Sequence, residues 1–137
     1  MRLGYQMKEL DKIVEIIKKL RDPVEGCPWD KKQTHNSLLP YLIEETYEVI
    51  EAIQDENTNM LQEELGDLLL HVVFQAELAS ENGTFNINDV IKSINTKLIK
   101  RHPHIFNPQE KSKTVLKANY FPQQILILRR NHLVWLH

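Results

Sequence analysis

At 137 residues the sequence is long enough for one domain with a single core, and its 42% hydrophobic and 26% charged residues are those of a globular chain, not a disordered one. The single cysteine, Cys27, excludes an internal disulfide and fits a reducing, cytoplasmic compartment; no run of about 18 apolar residues is present to span a membrane, and Lys8, Glu9, Asp11 and Lys12 interrupt any signal-peptide core. The formal net charge of −2 excludes a protein built to coat nucleic acid, yet it hides an asymmetry: residues 1–85 carry 8 Lys/Arg against 17 Asp/Glu, and residues 86–137 carry 9 against 2.

The predicted elements are helices, in keeping with only four glycines. The first spans residues 6–21, with Met7, Leu10, Ile13, Val14, Ile17 and Leu20 on one stripe, and Asp22-Pro23 ends it. Residues 24–36, with Gly26, Pro28 and Cys27, read as a loop. The second helix spans 37–56, with Leu39, Leu42, Ile43, Thr46, Val49, Ile50 and Ile53 on one side and Pro40 tolerated in the first turn. A polar turn at 57–59 leads to a third helix that stops at Asn82-Gly83 and is apolar on nearly every side from Leu65 to Ala79, which predicts burial within a bundle. The fourth runs from about Asn88 to just before Pro103. Two apolar clusters within residues 123–137 fit either helix or strand.

Between Lys32 and Lys92 lie twelve acidic residues and no Lys or Arg. Ordinary surface helices mix both signs and gain from i,i+4 pairs, so this stretch needs a partner from elsewhere. On the second helix Glu44, Glu48, Glu51 and Asp55 fall within about 60° of one another, opposite the apolar stripe, and Glu45 lies on the flank. On the third, Glu64, Asp67, His71 and Gln75 draw a polar line along an otherwise apolar rod. A buried carboxylate without a partner costs on the order of several kcal/mol. With no Lys or Arg on either helix, a hard divalent cation is the local solution, and oxygen ligands suit Mg²⁺ or Mn²⁺. A proton shared between carboxylates, or plain exposure to solvent, is the simpler reading. No acidic residue has a His three positions later, which disfavours a ferritin-type di-iron site. His71 and Gln75 suit structural hydrogen bonds, or support for a ligand, better than ligation.

On the fourth helix Lys97 and Arg101 are i,i+4 neighbours with Lys100 beside them, and His102 and His104 flank Pro103. They read as a solvated basic face, as salt-bridge partners of the acidic helices, or as a phosphate clamp. Acidic and basic lines with Mg²⁺ are equipment for polyphosphate chemistry, and no P-loop is present. Trp29 either stacks on a base or packs against a helix end. Cys27 lacks a motif that supplies a general base and is no nucleophile.

Glu44-Glu45-x-x-Glu48 followed by Glu64-x-x-Asp67 resembles the EExxE…ExxD signature of MazG-type nucleoside triphosphate pyrophosphohydrolases. Cys27-Pro28-Trp29-Asp30, the run Glu64 to Leu69, and Arg101-His102-Pro103-His104 are similar to segments of that family, in the same order, over about residues 8–106. The resemblance implies an all-α, four-helix MazG-like bundle assembling as a dimer, in a domain of residues 1–106 with a divergent tail at 107–137. It implies Mg²⁺-dependent (or Mn²⁺-dependent) hydrolysis of nucleoside triphosphates to the monophosphate and pyrophosphate. Glu45, Glu48, Glu64 and Asp67 are the implied metal ligands, with Glu44 in support or reaching a second ion. Lys97 and Arg101 are implied to hold the phosphate chain, and Trp29 the base side. Glu44 or Glu48 is then the residue that orients an attacking water. The chain departs from the family at Lys100, where many members carry Arg, and beyond residue 106. Many members hold two such domains, and this chain resembles the first. The alternative is a catalytically silent helical module that binds nucleotide or a partner. A homodimer is also expected from the helices themselves, because four short helices leave too much apolar surface uncovered.

Overall fold

The computed structural model describes residues 2–107 and 109, with side chains from Lys8 onward. The side chain of Met7 and the tail from residue 110, with both of its apolar clusters, lie outside the described residues. The described elements are helices: α1 (Arg2–Leu20), α2 (Pro28–Lys32), α3 (Leu39–Gln54), α4 (Thr58–Glu81), α5 (Ile87–Arg101) and α6 (Pro103–Phe106). No strand occurs among them. They divide into two compact units between Val90 and Ile91, within α5.

In the first unit, α1 and α3 each pack on α4. The predicted stripe of α1 is the one used. Ile17 is fully buried with Leu38, Val73, Phe74 and Leu78, and Leu10, Ile13 and Val14 pack against them. After α1 the chain turns sharply. Asp22 Oδ1 accepts hydrogen bonds from the amides of Val24 and Glu25 at 2.9 and 2.8 Å, which hold its carboxyl below the usual range. The Gly26 amide donates to the Asp22 carbonyl at 2.9 Å, and a Cβ on Gly26 would collide with the Leu20 and Asp22 carbonyl oxygens. Only glycine fits that approach.

The segment predicted as loop contains the five-residue helix α2. Pro28 at its first position supplies a fixed helical φ, Asp30 sits in its first turn, and Lys31 and Lys32 in its last. Its C-terminal carbonyls are met from α1's end: Arg21 Nη1 donates to Asp30 O at 2.6 Å and to Gln33 O at 3.2 Å. The same guanidinium forks onto Glu81 of α4 at 2.6 and 2.7 Å and lies 5.6 Å from the Phe74 ring centroid. One side chain thus joins α1's end, α2 and α4.

The hairpin of α3 and α4 turns through Asp55, Glu56 and Asn57, with Glu56 at φ 53°. The Asn57 side chain accepts from the Met60 amide at 3.1 Å and caps α4, which therefore starts at Thr58, inside the predicted turn. Gly83, at φ 71°, stops α4 as expected. Two predictions are corrected here. The apolar side of α3 is split: Leu42, Val49 and Ala52 face the interior, whereas Leu39, Ile43, Ile50 and Ile53 are exposed. In α4 burial is confined to residues from His71 to Ala79, and Leu65, Leu69 and Val72 are exposed. One neighbour on each side of α4 cannot cover an all-round apolar rod.

In the second unit, α5 ends where His102 Nδ1–H donates to the Leu98 carbonyl at 2.7 Å, and Pro103 begins α6. The rings of His102 and His104 lie 5.8 Å apart.

Replacing Arg21 with Met removes the fork, two carbonyl caps and the ring contact together, and is expected to lower stability by about 2–3 kcal/mol. The exposed Lys18–Glu15 pair, at 3.6 Å, is the control, and Lys18→Ala should change stability by less than about 0.5 kcal/mol. Denaturant midpoints measure both.

Candidate metal centre

The centre follows from how α3 meets α4. Residues 38, 42, 45, 49 and 52 recur at helical spacing along the face of α3 that is at least half buried. Glu45 sits in the middle of that face, and Glu48, one turn on, lies at its edge. Across the hairpin Glu64 projects from the first half of α4. One carboxylate oxygen from each of Glu45, Glu48 and Glu64 lies within 4.8 Å of the other two, all three residues being half-buried.

Glu48 is the hub: its carboxyl lies against those of both Glu45 and Glu64 and raises the pKa of each. Burial, the Glu48 carboxyl beside it and the charges of Asp67 and Glu64 push the Glu45 carboxyl up to about 7 from an ordinary 4.5. Glu64 is raised by burial first, then by Glu48. Even so, Glu45 Oε2 and Glu64 Oε2 are buried without a hydrogen-bond partner. The described ion pairs, Lys18–Glu15 and Arg21–Glu81, lie elsewhere. Two orphaned carboxylate oxygens in an oxygen-only cluster of half-buried acids fit a hard divalent cation of the Mg²⁺ or Mn²⁺ type.

The sequence-predicted residues are not all brought together. Glu45, Glu48 and Glu64 converge. Asp67 is exposed, outside that triplet, and acts on Glu45 and Glu64 through its charge. Glu44, Glu51 and Asp55 are exposed, and Glu48 parts company with them by turning toward α4. Periodicity alone puts Glu48 opposite the apolar stripe with Glu44, Glu51 and Asp55; only one edge of that stripe is buried, and that turns Glu48 toward α4. His71 is 8% exposed with Nδ1 unpartnered, and burial lowers its pKa against the pull of Asp67. Gln75 is structural: its amide donates to the His35 carbonyl at 3.1 Å while its oxygen meets His35 Nδ1.

Trp29 stands on α2, edge-on to Tyr41 with ring centroids 5.7 Å apart at 78°. Lys97 and Arg101 are exposed on α5 in the second unit. Arg21 and Tyr41 went unnoticed in the sequence. Tyr41 carried a usable signal, four residues before Glu45; a bridging role for Arg21 has none.

A helical hairpin that pools carboxylates from two neighbouring helices is an all-α carboxylate cluster of the kind that could hold a divalent cation. The MazG nucleotide pyrophosphohydrolase domain matches residues 33–106, which contain every member of that centre, and the chain belongs to this family. Among its relatives, the nucleoside triphosphate pyrophosphohydrolase/pyrophosphatase MazG of Thermotoga maritima is 62% identical over 96 residues, 70% of this chain and 37% of the relative. The nucleoside triphosphate pyrophosphohydrolase of Escherichia coli K12 is 49% identical over 112 residues, 80% of this chain and 43% of the relative. That of Mycobacterium tuberculosis is 45% identical over 80 residues, 57% and 25% respectively. The chain thus spans less than half the length of these relatives.

A raised Glu45 holds a proton in the folded chain that the unfolded chain has released above 4.5. Its contribution to stability is complete below about 4.5 and is lost as pH rises through about 7. His71, with its pKa lowered, has the opposite sign, so a variant must isolate Glu45. Without divalent cations, the melting temperature of the parent protein relative to Glu45→Gln should fall from about pH 5 to about pH 7.5. Adding Mg²⁺ at the higher pH should raise the melting temperature of the parent and not of Glu45→Gln. Thermal unfolding with and without a chelator measures both.

Proposed function

We propose that this domain hydrolyses nucleoside triphosphates, ribo- or deoxyribo-, to the monophosphate and pyrophosphate, with Mg²⁺ (or Mn²⁺) as cofactor. The convergence of Glu45, Glu48 and Glu64 carries the reading, and the names of the T. maritima and E. coli relatives support the reaction. Glu45, Glu48 and Glu64 hold the cation, with Asp67 adding negative charge from one turn along α4. A divalent cation held there would supply positive charge against the triphosphate and lower the pKa of a bound water. Glu48, whose carboxylate lies within 4.8 Å of the other two, accepts a proton from an attacking water and orients that water toward the α-phosphorus. Glu44, exposed next to Glu45, supports the cluster and is the alternative base. Lys97 and Arg101, one turn apart on α5, hold the phosphate chain, Arg101 by a two-pronged contact. Trp29 contacts the base. No covalent intermediate is required.

We propose further that the chain works as a homodimer. Leu39, Ile43, Ile50 and Ile53 on α3 and Leu65, Leu69 and Val72 on α4 are exposed. For two antiparallel helices, residue spacing puts both stripes on one side of the hairpin, away from the side of α4 that α1 covers. A second copy covers this face by the same patch on both chains. No described helix is long and apolar enough to cross a membrane, and the free thiol of Cys27 fits a reducing cytoplasm. Free nucleotide, and not nucleic acid, is the ligand.

Incubating the full chain with Mg²⁺ and a panel of NTPs and dNTPs should release pyrophosphate and monophosphate, resolved by chromatography. Glu48→Gln should lower kcat by about 100-fold or more. Release of orthophosphate overturns the bond assignment, and nucleotide binding without turnover under any divalent metal selects the silent binding module. Light scattering on the same sample should give twice the 16.2 kDa chain mass, and a monomer overturns the dimer.

A further inference from the structure

Facing helices of the first unit each bury a polar atom without a hydrogen-bond partner: Nδ1 of His71 on α4 and Oε2 of Glu45 on α3. His71 is 8% exposed, the one polar residue among the described residues that is buried so deeply. Buried polar atoms in native folds are nearly always satisfied. The ring has no part in the reaction described above.

The contacts on either side of His71 fix where its side chain lies. Glu64, seven residues earlier on α4, meets Glu45 and Glu48 of α3. Gln75, four residues later, is hydrogen-bonded to His35, just before α3. Helical spacing puts Glu64, His71 and Gln75 within about 40° of one another, so all three line the seam between α3 and α4. Both polar groups of Gln75 are taken by His35, which leaves none for His71. Across the seam Leu38 and Leu42 are apolar and turned inward, and the next polar side chain on that face of α3 is Glu45. Helical side chains lean toward the N-terminus of their own helix. In an antiparallel hairpin the two leans are opposed, so Glu45 leans toward the level of His71 and His71 toward that of Glu45. Glu64 shares a helix with His71 and leans away from it.

We infer that His71 is a positioning residue for the cation centre: its Nδ1–H holds one oxygen of Glu45 while the other faces the cation. The inference rests on the cation reading of Glu45, Glu48 and Glu64 and adds to it a residue outside that cluster. A carboxylate that gives one oxygen to a cation has another to satisfy, and a hydrogen bond there fixes its plane. Asp67, one turn before His71 on α4, acts on the same ring through its charge. The ring therefore has the carboxylates on one side and the closed Gln75–His35 clasp on the other.

The test asks which ring nitrogen matters. The Mn²⁺ affinity of the full chain, His71→Leu, His71→Asn and His71→Gln is measured by electron paramagnetic resonance of the free ion. The Asn amide nitrogen takes the place of Nδ1, whereas the Gln amide nitrogen takes that of Nε2. His71→Leu and His71→Gln should weaken Mn²⁺ binding by about tenfold or more, and His71→Asn should stay close to the unaltered chain. Unchanged affinity in His71→Leu overturns the inference, and so do equal losses in all three variants, which mark a packing role. Should His71→Leu fail to fold, the contrast between His71→Asn and His71→Gln decides, and equal affinity in those two overturns it. An unaltered chain that binds Mn²⁺ but releases no pyrophosphate from NTPs defeats the hydrolytic reading alone and leaves the role of His71 standing. One without saturable Mn²⁺ binding defeats the cation centre and this inference together.

Discussion

The structure turns on the enforced proximity of like charges between α3 and α4. The hairpin that buries Leu42, Val49 and Ala52 against α4 also carries Glu45 and Glu48 to Glu64, within 4.8 Å, and neither ion pair among the described residues reaches them. Hydrophobic packing sets the helix positions, and the carboxylates must accept the spacing that results. In the metal-free chain the strain is relieved by protons, which is why Glu45 is raised to about 7 and Glu64 is raised with it. A proton relieves it incompletely, since an oxygen of each remains unpartnered. A divalent cation held by Glu45, Glu48 and Glu64 would satisfy the same oxygens and favour the ionised form. Metal affinity and fold stability are therefore linked through one set of side chains.

The rest of the first unit holds this hairpin and its approach in place. α1 covers the opposite side of α4 through Ile17 and its neighbours, and Arg21, at the end of α1, anchors α2 to α4 by way of Glu81 and Phe74. Gln75, on the polar line of α4 that begins at Glu64, is used for the same purpose. One end of that line serves the charged centre and the other serves the loop that carries the aromatic segment. The exposed stripes of α3 and α4 are what remains once α1 has taken its share of a helix that is apolar almost all round.

Much of this was legible in the sequence because it depends on spacing along single helices. The α1 stripe, the stop at Gly83, the first-turn tolerance of Pro40 and the acidic pattern at 44–48 and 64–67 are all of that kind. What was hidden depends on which neighbour a helix meets. Periodicity gave α3 one apolar side, but packing uses only its Leu42–Val49–Ala52 edge, which moves Glu48 from solvent into the cluster. It also gave α4 burial from Leu65 onward, where a single chain covers only the part from His71. The helix α2 was missed because five residues hold too little period, and its C-terminal partner, Arg21, is a long-range contact. The unbroken acidic stretch between Lys32 and Lys92 proved more informative than the net charge, since it excluded in advance the neutralising Lys or Arg that the hairpin lacks.

The most direct measurement is a Mn²⁺ titration of the full chain followed by electron paramagnetic resonance of the free ion, repeated for Glu48→Gln and Glu64→Gln. Saturable binding in the unaltered protein, lost in both variants, is the predicted result. Absence of saturable binding, or binding that survives both substitutions, would contradict a cation site on α3 and α4.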